Sequence, residues 1–89
     1  MMETLITQIR SLRKEVRATL PFVREEIDGL IRNKETSTPQ IEKTLDLLLS
    51  FISLGYGAEE FQRLNAYYYT INPEYSDKYG RIFKEYFHD

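Results

Sequence analysis

Along the first third of the chain, Leu5, Ile9, Leu12, Val16, Leu20, Val23, Ile27 and Leu30 recur at steps of four and three residues. That spacing keeps side chains on one face of an α-helix. Pro21 lies inside the stripe without disturbing its phase. A proline inside a helix removes a backbone donor and crowds the preceding turn, whereas in a first turn it costs little. The pattern therefore admits one long helix kinked at Pro21, or a second helix starting near Thr19. The unbroken phase favours the long helix, because two helices folding back on each other have no reason to keep a common register.

The polar run Asn33 to Thr38 ends in Ser37-Thr38-Pro39-Gln40. This supplies an N-cap hydroxyl, a proline for the first turn, and Gln40 three residues after Ser37 as in a capping box. The helix that follows presents Ile41, Leu45, Leu48, Leu49 and Ile52 inward, with Leu47, Phe51 and Leu54 widening the face. Gly55-Tyr56-Gly57 closes it, and Ala58-Glu59-Glu60 opens the next helix with carboxylates near its positive end. That helix places Phe61, Leu64, Tyr68 and Ile71 on one face. Asn72-Pro73-Glu74 then caps a last helix to about Phe87, whose expected inner face is Tyr75, Tyr79, Ile82 and Tyr86, with Phe83 and Phe87 at its margin. Gly80, in the middle of that helix, asks for a close helix crossing.

These elements predict an all-α fold: a small up-and-down bundle of four or five helices forming one domain over residues 1–89. With 42% hydrophobic and 29% charged residues the chain is globular in composition. At 89 residues it buries only roughly 60–65% of its unfolded surface, so association helps it. The lengths are also mismatched. A helix from Leu5 to Ile31 runs about 40 Å, while later helices of roughly 14–16 residues cover about 21–24 Å each. Part of the long stripe is left for a second copy, which predicts a two-fold homodimer whose axis crosses near Leu12 and Val16.

Twelve basic against fourteen acidic residues give a net charge of −2, so the chain has no global attraction to polyanions. A local exception is Arg10, Arg13, Lys14 and Arg17, at i, i+3, i+4 and i+7, which share one flank of the first helix. Two accounts of this flank stand side by side: a phosphate-binding surface, or a structural flank that is either faced by Glu42, Asp46, Glu59 or Glu60 of neighbouring helices or simply solvated. The Leu54-Gly55-Tyr56-Gly57 turn invites a helix-turn-helix reading, but the following helix would offer the DNA Ala58, Glu59 and Glu60, with Arg63 its only base.

Candidate chemistry is sparse. The absence of cysteine excludes disulfides, thiol catalysis and Cys-ligated metals. Glu85 and His88 have the Glu-x-x-His spacing of di-metal bundles, yet one such pair at a chain end cannot close a site. No Gly-rich phosphate loop, histidine pair or nucleophile elbow is present. No cofactor, metal or enzymatic activity is therefore expected.

Seven tyrosines and five phenylalanines are many for this length. With Leu64 at the centre of its helix face, Tyr67 sits at the border and Tyr69 lies about 140° away; Phe22 lies about 100° off its own stripe. Phe22, Tyr67 and Tyr69 are thus candidates for contacting another protein, since exposed aromatics give large contact area at low entropic cost. The sequence reads as a self-associating, non-enzymatic interaction module or small assembly factor, with nucleic-acid binding through the basic flank as the alternative. The longest apolar stretch, Leu47 to Leu54, is broken by Ser50 and Ser53, and no basic segment followed by an apolar run opens the chain. A cytoplasmic protein without a membrane span is expected.

Overall fold

The computed structural model describes the backbone of residues 2–86 and the side chains of residues 8 and 10–86. Leu5 and Ile9 of the long stripe, and Phe87 and His88 at the other end, lie outside the described side chains. Four helices follow one another: α1 (Met2–Arg32), α2 (Thr38–Ile52), α3 (Ala58–Tyr69) and α4 (Pro73–Tyr86). No strand occurs among the described residues. The first helix runs without interruption through Pro21, as its continuous apolar phase implied.

Side-chain contacts fix the helix directions. Arg24, Asp28 and Glu35 meet Glu60, Arg63 and Tyr67 in ascending order, so α1 and α3 run parallel. Late in α3, Tyr68 meets Glu42 early in α2, and Asn65 meets Ser76 early in α4. Both neighbours of α3 therefore run against it, giving the up-down-up-down order.

The core is drawn from every helix: Val16, Leu20, Val23, Ile27 and Leu30 of α1; Ile41, Leu45, Leu48, Leu49, Phe51 and Ile52 of α2; Phe61, Leu64 and Tyr68 of α3; and Phe83 of α4. Between α2 and α3 the turn depends on glycine. Gly57 has φ +87°, and a Cβ there would stand 3.3 Å from Leu48 Cδ2 and 3.4 Å from Cβ of Phe51. Only a residue without a side chain both tolerates this conformation and lets the turn close on α2.

An aromatic ladder ties α3 and α4 to α2. Phe83 stacks on Phe61 at 5.0 Å between centroids, Tyr79 lies 6.4 Å from Phe61, and Tyr68 meets Tyr79 edge-on at 6.3 Å. The ladder ends in hydrogen bonds: the hydroxyls of Tyr68 and Tyr79 donate to Glu42 (2.6 Å) and Asp46 (2.8 Å), one turn apart on α2. Burial, then the carboxylate beside it, pushes the Tyr68 pKa up to about 12. The same causes raise that of Tyr79. Both hydroxyls thus stay protonated donors. Much of the tyrosine content is structural.

Four local expectations are corrected. Ser37 occupies the N-cap position of α2, but its hydroxyl makes no capping bond; its N–H instead donates to Glu35 Oε1 at 3.0 Å, and Gln40 is exposed. Leu47 is 42% exposed, because it lies about 100° from Leu48 on the helix wheel, beyond the buried arc. The inner face of α4 is Ser76, Tyr79 and Phe83, whereas Tyr75, Ile82 and Tyr86 are exposed. The cause is a polar knot at the α3–α4 crossing. Buried Ser76 places its hydroxyl 2.9 Å from the Asn65 carbonyl and 3.0 Å from Asn65 Oδ1, while Asn65 Nδ2 donates to the Ser76 carbonyl at 3.1 Å. Only a short side chain fits there, so α4 turns its small residues inward and carries Phe83 onto Phe61. The close crossing expected at Gly80 is centred at Ser76: a Cβ on Gly80 would make only an ordinary 3.8 Å contact with Asn65 Nδ2.

The molecule measures 47 × 25 × 21 Å with a radius of gyration of 14.3 Å, against about 12 Å for a compact chain of this length. The excess comes from α1. Its 31 residues extend about 46 Å, the whole long dimension, whereas α2, α3 and α4 have 15, 12 and 14 residues. The packed body begins at Val16, and every described side chain before it is exposed. Residues 2–15 thus form a helical overhang of about 21 Å.

Candidate interaction surfaces

The overhang carries four of the nine residues singled out by sequence: Arg10, Leu12, Arg13 and Lys14. Leu12 keeps the phase of the core stripe yet is 49% exposed, because it lies at the edge of the packed body, where only the last turns of α2 and Leu54 stand beside it. Val16, one turn further on, is only 6% exposed. Its own chain encloses it, so of the two residues proposed for a dimer interface only Leu12 is free to serve. Beside them a recess of roughly 420 Å³ is lined by Leu12, Glu15, Thr19, Leu47, Phe51 and Leu54 among others.

Arg10, Arg13, Lys14 and Arg17 are all exposed. None takes part in an ion pair among the described residues. The acids that sequence reasoning offered as partners are mostly engaged elsewhere: Glu42 by Tyr68, Asp46 by Tyr79 and Glu60 by Arg24. Glu59 is exposed. The flank is therefore a solvated surface of four cations on one side of a protruding helix, and it faces none of these acids.

The three aromatic candidates do not converge. Phe22 is 72% exposed and lines a groove of roughly 680 Å³ between α1 and α2, together with Val23, Glu26, Lys43 and Leu47. Leu47 also lines the recess beside Leu12, which makes one discontinuous apolar seam along the α1–α2 side. Tyr67 is half-buried, and its hydroxyl donates to the Glu35 carbonyl at 2.7 Å, latching the end of α3 to the α1–α2 connection. Tyr69 is 55% exposed beside a separate recess between α3 and α4.

Sequence reasoning missed two surface features. Leu47, assigned to the core, bridges the two recesses of the α1–α2 side. Tyr75, Ile82 and Tyr86 form an exposed stripe on α4, with Lys78 Nζ 5.0 Å from the Tyr75 ring centroid. A signal for the second existed in Ser76 and Gly80, small residues spaced one turn apart about 100° round the helix from that stripe.

Chemically, the described residues contain no group of three His, Cys, Asp or Glu side chains placed to hold a metal. No buried side-chain polar atom among them lacks a hydrogen-bond partner. No helix among the described residues is long and apolar enough to cross a membrane. The polar interactions inside the body join one helix to another, and what faces solvent is apolar seam, aromatic stripe and basic overhang. No protein-family model, no curated protein and no solved structure matches the chain.

Proposed function

We propose that this protein is a non-enzymatic helical interaction module that self-associates through the overhang of α1. The observation that carries this reading is Leu12, in phase with the core and left 49% exposed where α1 outruns the bundle. A solitary helical segment of about 14 residues is marginal in water unless its apolar side is covered. A second copy supplies the cover. Two overhangs laid antiparallel about a two-fold axis near residues 8 and 9 pair along their full length, and the two bodies stand at opposite ends. This moves the axis toward the N-terminus from Leu12 and Val16, because Val16 belongs to the body.

Multi-angle light scattering tests the reading. At tens of micromolar the chain, 10.6 kDa alone, is expected at twice that mass, and a monomer across this range overturns the proposal.

A second reading, nucleic-acid binding through the basic flank, is favoured by the exposure of Arg10, Arg13, Lys14 and Arg17 without an ion-pair partner among the described residues. It is compatible with the first.

A further inference from the structure

We infer that the paired overhangs build one basic face from both copies, and that this face binds the phosphate backbone of double-stranded nucleic acid without reading its bases. The inference rests on the self-association just proposed and adds the partner. A two-fold axis perpendicular to the plane of two antiparallel helices turns one onto the other while keeping each flank on the side of the plane it started on. Arg10, Arg13, Lys14 and Arg17 of both copies therefore fall on the same side of the pair. They form an array of eight cations about 25 Å long, measured from Arg17 of one copy to Arg17 of the other across an axis near residues 8 and 9. Two acids, Glu3 and Glu15, lie within this stretch of each copy, against the four cations.

Two features of this array point to a polyanion of regular, dense charge. First, the four cations of each copy have no ion-pair partner among the described residues, although Arg24 and Arg63 of the body are each paired with an acid. Second, the cations project sideways from the shaft of a helix and not from its first turn. They suit contacts to a backbone running past them and not insertion into a groove. Duplex nucleic acid offers one phosphate charge per ≈ 1.7 Å of axis, so an array of this length can be matched along its whole extent. The expected binding is therefore electrostatic and independent of sequence.

The salt dependence of binding distinguishes one copy from two. Each neutralised phosphate contributes about −0.9 to the slope of log K against log salt concentration, so four cations cap the slope near −3.6 and eight near −7. The test is a fluorescence-anisotropy titration of a labelled mixed-sequence DNA duplex of about 30 base pairs between 50 and 200 mM salt, with molar mass measured in parallel. Wild type is expected to bind with a slope steeper than about −4, which a single copy cannot supply. Arg13→Glu with Arg17→Glu should weaken binding at least tenfold while the dimer mass persists, and monomeric Leu12→Asp should bind weakly with a slope shallower than −3.6. A dimeric wild type that does not bind the duplex, or that binds poly-glutamate equally well, overturns the inference and leaves self-association standing. Binding whose slope is the same in wild type and Leu12→Asp overturns the two-copy face. A monomeric wild type overturns the underlying reading itself, and the parallel mass measurement identifies that case.

Discussion

Phe61→Ala is expected to lower the unfolding free energy by about 3–5 kcal/mol, the largest stability loss from any single truncation outside α1. Phe61 is 1% exposed, stacks on Phe83 at 5.0 Å and lies 6.4 Å from Tyr79. Its removal takes out transferred apolar surface and also the central rung of the ladder that binds α3 and α4 to α2. The remaining rungs cannot collapse into the space, because Tyr68 and Tyr79 are held at their far ends by Glu42 and Asp46. An 89-residue chain has a total stability of about 4–13 kcal/mol, so the variant should unfold at markedly lower urea concentration or be unfolded outright. Urea denaturation followed by circular dichroism measures the loss. A loss below about 1 kcal/mol would show that the ladder does not carry α4.

The second large effect separates the two residues that sequence reasoning had grouped as one interface. Leu12→Asp replaces a half-exposed side chain on the overhang, so the monomer should lose less than about 1 kcal/mol. In the dimer the same carboxylate is buried against apolar side chains of the second copy, and an unpaired charge there costs about 3 kcal/mol or more, over a hundredfold in dissociation constant. Val16→Asp behaves in the opposite way. Its carboxylate is forced into the chain's own core at a site 6% exposed, so the fold itself should fail. Helical content by circular dichroism together with molar mass distinguishes the cases: a folded monomer for Leu12→Asp, a largely unfolded chain for Val16→Asp. A folded Leu12→Asp dimer of wild-type affinity would place the interface elsewhere, with the seam around Phe22 and Leu47 or the stripe of Tyr75, Ile82 and Tyr86 next in line.

Helix order and most boundaries were legible, and the number to four or five, because the local signals agree with one another. A stripe of period 3.6, the Pro39 and Pro73 starts, and the glycines at 55 and 57 each say the same thing as the elements beside them. The overhang was legible too, as a mismatch of lengths, although the point where the body begins was not. Residue 12 and residue 16 carry the same pattern, and only the reach of α2 and α3 decides which is covered. The phase of α4 was illegible for a related reason. Its aromatic stripe and its small-residue stripe lie about 100° apart, and the Asn65–Ser76 knot, joining residues on two helices, selects the second. The isolation of the basic flank was hidden in the same way: the acids expected to face it are engaged by Tyr68, Tyr79 and Arg24 from other helices.

The claim on which the rest turns is that the overhang of α1 becomes covered by a second copy. Hydrogen exchange reads this directly, since backbone amides in a lone, uncovered helical segment open at almost no free-energy cost, while those in a packed one exchange only through rarer openings. The measurement is exchange in a peptide covering residues 10–15, followed as the protein is diluted from about 200 to about 2 µM, a range chosen to span the micromolar affinities of modest interfaces. The account predicts strong protection of this peptide at the high concentration, fading on dilution, while peptides from the α2 and α3 core stay protected throughout. Exchange in residues 10–15 that is fast and unchanged at every concentration would contradict it.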